Sequence, residues 1–516
     1  MNLTIAGTTY TMGSACTFTL GVTVTTTFSA GSGLVFITTN GKTHQNINIA
    51  SGGGGTATMS LVDNLTATGP ITLTTGTLDT NGVNVQSGFF DAGATGTKTL
   101  TFVSGTWTLT SNNSTMMNWN ATGTTTTTGG TWVSNYTLGA GTRTFTLSTV
   151  DIGHLSITGG TDTITITGSA SVTGGNITNM NFTGFAGTLS NNVFSIGGNL
   201  TISSGMTCTA GTNAISFVAT SGTKTITSNS VTLDFPLTFN GVGGTWQLQD
   251  SLAVGTTRTV TLTNGKIDAN NNAFTMGLFS SSNSNVRTIT MGNNTWTLNG
   301  TGTVWTTATT TNLTFQVNTS TLVISNTSST GKTFTTGGLT FNIINYNGDN
   351  ITLTDSHTVL IMNQNNAGLT NGLKITSGQT VTIGVGGDFR TNGISGSLAK
   401  LLSTTAGSAH TLTKASGQIC VDFMSIKDST ATGGASWRAG VNSTNVSGNT
   451  GWVFTTCPVK GGGGGGGGKD KKLPKGKRKI SETIPGVVEK KGFLIGRFNI
   501  YTQVSAYISR FFHMFG

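Results

Sequence analysis

The chain has 516 residues, of which 8% are charged, 35% are hydrophobic and 76 are glycine, and its formal net charge is +10. So low a charged content argues against a fold covered by amphipathic surface helices, because soluble domains carry roughly 25% charged residues. The aliphatic and aromatic residues recur in alternating runs, which argues against a disordered body.

The positive charge is concentrated at one end of the chain. From Lys469 to Gly516 there are eleven Lys or Arg and three acidic residues, whereas the rest of the chain has 15 basic and 13 acidic residues. The net charge therefore describes the tail and says little about the body. We do not expect nucleic acid as a partner.

The N-terminal residues do not have the pattern of a targeting segment. The stretch MNLTIAGTTYTMGSACTF has no basic start followed by a continuous apolar run, so we expect no signal peptide here. No part of the chain approaches 18 consecutive apolar residues, so we expect no membrane-spanning helix.

Residues 1–419 are built from short runs in which apolar and polar residues alternate. Examples are GTRTFTL from Gly141, GTDTITITG from Gly160 and GNLTIS from Gly198. Thr favours strands because it is β-branched, and Gly and Asn tolerate the positive φ of tight turns. Alternation with a period of two places the apolar side chains on one face. The pattern predicts many short strands joined by tight turns.

These runs belong to longer imperfect repeats. The phrases LVDNL, TLTTGTLDTNG and TKTLTFVSGTWTL, which begin at Leu61, recur as LQDSL, TLTNGKIDANN and VRTITMGNNTWTL from Leu248. Asp63 then aligns with Asp250, and Asp79 aligns with Asp268. In a third, weaker copy the residue aligned with Asp250 is Asp355. Repeats of this kind indicate stacked units that share one core.

Two all-β architectures fit these repeats. One is a parallel β-helix, or β-solenoid, a rod built from imperfect repeats with a short C-terminal helical tail. The other is a string of β-sandwiches, which should show linkers between modules. We favour the solenoid because no linkers are visible, and because stacked coils would place like charges above one another, which explains the charge deficit. With about 22 residues per coil, the rod is on the order of 100 Å long.

The C-terminal part divides into three segments. Residues 420–457 differ in composition from the coils before them and are predicted to cap the solenoid. Residues 458–479 contain a run of glycines, Gly461 to Gly468, followed by a basic stretch, and are predicted to be a flexible linker. Residues 480–516 carry apolar residues at three- or four-residue steps, which predicts an amphipathic anchoring helix.

This tail is the predicted docking site for other proteins of an assembly. A basic segment before an amphipathic helix can bind an acidic protein surface, a membrane interface or nucleic acid, and we favour docking on another protein. The residues proposed for docking are Lys471, Lys472, Lys475, Lys477, Arg478, Lys479, Phe498, Tyr501, Ile508, Phe511 and Phe515.

Several phrases resemble repetitive Thr/Gly/Asn-rich β proteins of marine tailed bacteriophages. They are NMNFTGFAGTLSNN from Asn179, LDFPLTFNGVGGTWQLQDSL from Leu233, RTVTLTNGKIDANNN from Arg258 and SWRAGVNSTNVSGNTGWVF from Ser436. The resemblance covers roughly residues 150–470, and its motifs are of low complexity. It implies a virion appendage, such as a fibre, a decoration or a host-contacting spike, and it offers no catalytic residues.

The acidic residues of the body do not indicate an active site. All thirteen are Asp, and most stand singly in turn phrases such as LDTNG and IDANN. Asp in such a phrase bonds its own backbone. A polysaccharide-cutting spike would need two facing carboxylates, for which Asp422 and Asp428, six residues apart on the predicted cap, are the candidate pair. We therefore expect no enzyme activity and no cofactor.

Histidine and cysteine give no metal-site spacing. His44, His154, His357 and His410 are isolated, and the four cysteines form no CxxC pair. We expect buried free thiols, although Cys420 could pair with Cys457 in an exported protein.

The tryptophans Trp107, Trp246 and Trp296 lie in repeated GTW or NTW phrases. They belong to the alternating apolar set, so we expect them to fill the core; the alternative is that they stack on a host-surface glycan. Thr124 to Thr128 is similar to the threonine arrays of ice-binding solenoids, but the strict short period of those arrays is missing.

Together these observations predict a non-enzymatic structural protein of a phage virion, displayed on the virion surface and attached to other virion proteins through its tail. We expect a homo-oligomer. The alternatives are a bacterial or environmental cell-surface adhesin or filament subunit and, second, a polysaccharide-degrading tail spike.

Overall fold

A computed structural model describes residues 2–6, 9–11, 24–111, 114–119, 124–135, 141–172 and 174–457. In these residues the chain is an all-β parallel solenoid of about 18 turns with no helix, which confirms the fold predicted for the body. Contacts divide the chain into Met1–Pro458 and Val459–Gly516. The basic linker and the predicted helical tail lie outside the described residues.

The strands form one large sheet near the N-terminus, one along most of the solenoid and one near the C-terminus. The first has 14 strands. They are Asn2–Ala6, Thr9–Thr11, Thr25–Thr38, Asn46–Leu61, Ile71–Leu73, Gly76–Asp79, Phe90–Ala92, Lys98–Phe102, Thr115–Trp119, Thr124–Thr128, Thr142–Thr146, Thr163–Thr167, Thr188–Leu189 and Thr207–Cys208.

The second sheet begins within the first turns and continues to the last. Its strands are Thr43–His44, Leu65–Ala67, Val85–Ser87, Thr106–Leu109, Thr131–Asn135, His154–Gly159, Met180–Asn181, Phe194–Ile196, Leu200–Thr201, Ile215–Phe217, Thr223–Thr227, Leu237–Leu248, Thr259–Asp268, Leu278–Ser280, Arg287–Thr290, Gly302–Thr306, Leu313–Gln316, Lys332–Thr335, Ile351–Leu353, Leu373–Ile375, Ala399–Ser403, Met424–Lys427 and Thr444–Ser447.

The third sheet has 10 strands, and a pair of strands stands beside it. The ten are Thr232–Leu233, Leu252–Val254, Phe274–Met276, Thr295–Leu298, Thr321–Ile324, Thr340–Tyr346, His357–Gln364, Thr380–Thr391, His410–Lys414 and Ser429–Thr432. The pair is Gln418–Cys420 with Ser436–Arg438. The ladders of Met424–Lys427 and Ser429–Thr432 continue those of earlier coils through the segment predicted as a cap.

Each strand pairs in parallel with a strand one coil further along the chain. Ile344 pairs with Met362, 18 residues on, whereas Val381 pairs with Leu412, 31 residues on. The coil length therefore varies because loops of different length leave the same ladders. This variation hides the period in the sequence.

Some strands turn a corner of the solenoid without ending. Leu237–Leu248 pairs through its first half with Ile215–Phe217 and through its second half with Thr223–Thr227. The next coil makes the same turn at Gly265, whose φ is +78° and where an added Cβ would lie 2.2 Å from the Gly241 carbonyl oxygen. Only glycine fits such a stacked corner.

One shared core runs along the inside of the coils. A single inward column, for example, joins buried residues of six successive coils: Phe274, Trp296, Leu322, Ile344, Met362 and Phe389. Outward columns carry Thr, Ser and Asn. Because every coil buries its apolar face only against its neighbours, the stack itself is the unit of stability.

Candidate functional site

The repeated turn aspartates are structural. The carboxylate of Asp79 accepts the backbone N–H of Asn81 at 2.9 Å, and that of Asp268 accepts the N–H of Asn270 at 2.9 Å. Both asparagines have a φ of 49°. The equal geometry at aligned positions confirms the repeat read from the sequence, and it explains why Asp and Asn recur there.

A second group of aspartates joins one coil to the next. Asp355 accepts the backbone N–H of Thr336, one coil earlier, at 2.9 Å. The aligned residues Asp63 and Asp250 accept the backbone N–H groups of Thr39 and Ser228 at 2.7 and 2.8 Å. The three aligned aspartates therefore form the same interstrand clamp, which confirms the third repeat copy as well.

The other aspartates of the body also have partners within the solenoid. Asp162 pairs with Arg143 at 2.9 Å, and Asp234 pairs with Arg258 at 2.8 Å. The remaining ones, which bond backbone or side-chain donors close by, are Asp91, Asp151, Asp349, Asp388, Asp422 and Asp428. Twelve of the thirteen carboxylates are thus held by contacts within turns or between coils, and Asp388 pairs with Arg390 on the same strand.

A set of buried cations lies at the corners of the solenoid, and the sequence did not predict it. The Lys332 ammonium donates to the carbonyl oxygens of Ser328, Thr330 and Asp349 at 2.6, 2.8 and 2.9 Å, and the residue is fully buried. Burial lowers the pKa of Lys332 below its usual value, and the charge of Asp349 opposes this shift.

Two further cations occupy similar cages. Arg287 donates to the carbonyl oxygens of Ser281, Asn285 and Thr311 and is buried. Lys98 is also buried and donates to the carbonyl of Gly96 at 3.2 Å. Burial lowers the pKa of both residues. Each cation satisfies loop carbonyls that would otherwise lack donors.

A sequence signal for these cations exists. Each begins a phrase of Lys or Arg, Thr, an apolar residue and Thr, and this phrase starts at Lys98, Arg143, Lys224, Arg258, Arg287 and Lys332. Arg143 and Arg258, which begin the same phrase, form ion pairs with Asp162 and Asp234. A basic residue therefore lies at the first residue of these strands or next to it.

The tryptophans proposed as glycan contacts are in the core. Trp107 and Trp296 are fully buried, and Trp246 is 1% exposed. Trp107 stacks on Trp132 with a centroid distance of 4.6 Å, and Trp296 packs edge-on against Phe274 at 5.0 Å. This placement confirms the expected core role. The glycan-contact alternative is wrong for these three residues, because no ligand can reach their rings.

Cysteine chemistry differs from the first expectation. Cys420 and Cys457 form a disulfide with a Cα–Cα distance of 5.9 Å, where buried free thiols were expected. Cys208 is free and half-buried, and burial together with the nearby charge of Asp234 raises its pKa to about 12. A thiol in that state is a poor nucleophile at neutral pH.

A shallow cleft of about 430 Å³ lies beside Cys208. It is lined by Thr207 and Cys208 from one coil and by Val231, Thr232 and Asp234 from the next. The carboxylate of Asp234 is already paired with Arg258. The cleft therefore offers hydroxyl groups for hydrogen bonding, but it holds neither an activated nucleophile nor a second carboxylate.

The outer surface offers ladders of threonine. In the C-terminal coils, Thr380 pairs with Thr411, Thr411 with Thr430, and Thr430 with Thr450. A second column two residues along joins Thr340, Thr358, Thr382, Thr413 and Thr432. These columns make a neutral surface of hydroxyl and methyl groups.

The described part of the chain holds no group of three His, Cys, Asp or Glu side chains placed to bind a metal ion. Among the described residues, no helix is long and apolar enough to cross a bilayer. The docking residues of the tail, from Lys471 to Phe515, lie outside the described residues.

No protein-family model, curated protein or solved structure matches the chain.

Proposed function

We propose that the chain is a non-enzymatic structural protein of a phage virion that displays its solenoid as a fibre, a decoration or a host-contacting appendage. The observation that carries the proposal is the continuous stack of about 18 turns, with one core and neutral ladders outside. A stack of this kind gives length and stiffness without a separate module for chemistry.

The absence of enzyme activity is part of this proposal, and the carboxylates support it. Glycoside hydrolysis needs two carboxyl groups free to face a sugar from opposite sides. Asp422 instead accepts the N–H groups of Phe423 and Asn442, and Asp428 accepts the N–H of Gly407. Asp349 and Asp355 are equally near in sequence, and they too are engaged, with the backbone N–H groups of Asn371 and Thr336.

Attachment is assigned to the tail. The basic stretch from Lys471 to Lys479 and the apolar residues from Phe498 to Phe515 have the pattern of a segment that docks on another protein of the particle. The proposal includes a homo-oligomer on the virion surface. Because the tryptophans are buried, any host-surface glycan would meet the outward threonine ladders instead.

The test is to locate the protein and then to remove its tail. Antibodies against residues 215–298 should label purified virions in immunogold micrographs. A deletion of Lys469 to Gly516 should leave the β-sheet circular dichroism unchanged and remove the label from the particles. Label that stays on the particles, or a truncated body that unfolds, would refute the assigned role of the tail.

A bacterial or environmental cell-surface adhesin or filament subunit is the second candidate, and the disulfide suits it as well as it suits a virion protein. Disulfides persist in oxidising surroundings, such as the periplasm, cell surfaces and virion surfaces. Cys420 and Cys457 are bonded, which suits a protein exported from its cell. Recovery of the protein in a cell-envelope fraction, and not in virions, would support this candidate.

The polysaccharide-degrading spike stays as a third alternative with a direct test. Purified protein is incubated with host envelope polysaccharide, and reducing sugar is measured. We expect no release above that of heat-denatured protein. Release that disappears in an Asp422→Asn and Asp428→Asn double variant would establish the enzyme instead.

A further inference from the structure

Two histidines in the C-terminal coils are buried, and three of their four ring nitrogens lack a hydrogen-bond partner among the described residues. His410 is fully buried, and within the described residues neither of its ring nitrogens has a partner. His357 is 4% exposed; its Nε2 has no partner there, and its Nδ1 lies 3.3 Å from the carbonyl oxygen of Asp355. Buried polar atoms without partners are rare and call for an explanation.

The two imidazoles lie on the same inner face, two coils apart. His357 pairs with Val381, and Val381 pairs with Leu412, which stands two residues after His410. Residues two apart in a strand point to the same side. The ring of His357 also packs edge-on against Phe334 and Phe341, at 5.9 and 6.3 Å. Both histidines are therefore part of the apolar interior of the same few coils.

The acidic groups nearest to these histidines are engaged elsewhere. The Asp355 carboxylate bonds the amides of Thr336 and Gly337, and the Asp428 carboxylate accepts the N–H of Gly407. Of the other charged residues on neighbouring strands, Lys332, Lys374, Asp388, Arg390 and Lys400 have hydrogen-bond partners of their own. Lys427 is half-buried, and Lys414, four residues after His410 on the same strand, is 6% exposed. Tyr346, on the strand before His357, is buried and uncharged.

Protonation of these rings is therefore costly in the folded state. An imidazolium has two N–H donors, and at His410 neither would find an acceptor among the described residues. Burial lowers the pKa of His410 to about 4, with the charge of Asp428 opposing the shift, and burial also lowers the pKa of His357.

The direction of the pH effect follows from this difference. An unfolded histidine binds its proton near pH 6.5, whereas folded His410 does so only near pH 4. In this window the open chain binds more protons than the folded one, so the stability of these coils is full above pH 6.5 and falls as the pH drops towards 4. The loss of stability is confined to these coils, because each stacked coil contacts only its neighbours.

We propose that the coils from His357 to Ala431 form an acid-sensitive segment of the solenoid, which opens when the buried imidazoles of His357 and His410 take up protons and closes again at neutral pH. Cys420 lies within this segment and is bonded to Cys457, so the last coils stay covalently linked to it when it opens. Coils without a buried histidine, such as those of residues 215–298, keep their structure.

The first experiment measures opening along the full chain by hydrogen exchange and mass spectrometry at pH 7.0 and 4.5. Rates are corrected for the intrinsic pH dependence of exchange. Relative to pH 7.0, proton uptake by His410 alone should raise the opening constant of peptides within 373–432 by roughly 60-fold at pH 4.5. Peptides within 259–298 should not change, and protection should return at pH 7.0. Equal protection at both pH values, or equal loss in both regions, would overturn the proposal.

The second experiment uses variants of the same chain. His357→Phe combined with His410→Leu removes both imidazoles and should abolish the acid opening. The matched control is His154→Gln, because His154 is half-buried and bonded to Asn179 at 2.9 Å; this variant should open like the original chain. Acid opening that persists in the double variant would refute the role of the two histidines.

A third measurement needs no variant and decides the matter if the double variant does not fold. Exchange of the imidazole C2 hydrogen, followed by mass spectrometry, gives the titration midpoint of each histidine in the native chain. We expect a midpoint near pH 4 for His410. A midpoint at the usual value of about 6.5 would sink the proposal, because a freely protonated ring cannot drive opening.

Discussion

The side chain of Asp355 accepts the backbone N–H of Thr336, which lies 19 residues earlier and one coil away. The same carboxylate accepts the Thr336 hydroxyl at 2.9 Å and the N–H of Gly337. Asp63 and Asp250 repeat this clamp in other coils. The contact is thus a regular part of how two coils are joined.

Replacement of Asp355 by alanine should destabilise the coils around it. It leaves two backbone donors and one hydroxyl without an acceptor, so we expect the free energy of unfolding to fall by about 1–3 kcal/mol. Urea unfolding followed by circular dichroism measures the change. The control is Asp388→Ala, because Asp388 pairs with Arg390 while 40% exposed, and exposed pairs contribute about 0–1 kcal/mol. Equal losses in the two variants would contradict the clamp.

Replacement of Lys332 by methionine should also be destabilising, although it exchanges a charged side chain for an apolar one in a buried place. Three carbonyl oxygens lose their donor, and each buried acceptor left without a partner costs about 1–3 kcal/mol. Thermal unfolding measures the change. Lys374→Met is the control, because Lys374 is only half-buried and its ammonium contacts a single side-chain oxygen, that of Asn350.

The outcome for Lys332 separates two roles of a buried cation. If the methionine variant is as stable as the original chain, the ammonium is a tolerated charge and the loop carbonyls do not depend on it. If the chain loses stability and the Lys374 variant does not, the cage is a structural element of the corner.

Opening of the disulfide should loosen the last coils. The bond closes a loop of 37 residues, for which the chain-entropy relation gives about 4 kcal/mol. A Cys420→Ser and Cys457→Ser double variant should therefore show faster hydrogen exchange in residues 436–457. Cys208→Ser serves as the control, because that thiol is not bonded. Unchanged exchange in the double variant would mean that the strand pairing of Gln418–Cys420 with Ser436–Arg438 holds the end without help.

The architecture of the body could be predicted from the sequence because its strongest signals are local. Alternation of apolar residues, glycine and asparagine turns, and aspartates at aligned positions such as Asp79 and Asp268 all report on single strands and turns. Stacked coils place like residues above one another, and like charges in such a column would repel. The low content of charged residues was therefore a second signal of stacking.

The buried cations and the disulfide could not be placed in the same way. A charged residue is expected at the surface, and Lys332 is buried only because the loop before it turns its carbonyls inward. The pairing of Cys420 with Cys457 depends on two loops that meet in space. The tryptophans show the reverse case: the alternating pattern that places Trp296 in the core was correct, and a role in glycan contact needs exposure that the pattern denies.

The neutral ladders lead to a prediction on the charge of the outer surface. Thr382 and Thr413 are direct neighbours in adjacent coils, and both point outward. Lysine at both positions should place two like charges about 4.8 Å apart along the ladder and repel. A variant with Lys at 382 and Glu at 413 keeps the same bulk and brings opposite charges together. We expect the Lys/Lys variant to be less stable than the Lys/Glu variant by about 1 kcal/mol.

Salt and distance provide the controls for this prediction. In 1 M NaCl the Debye length falls to about 3 Å, so the difference between the two variants should largely disappear. A variant with Thr382→Lys and Thr314→Lys carries the same two charges in separate coils, and its change should equal the sum of the single changes. If the Lys/Lys and Lys/Glu variants unfold at the same urea concentration in low salt, repulsion along the ladders is not the reason that this body contains so few charged residues.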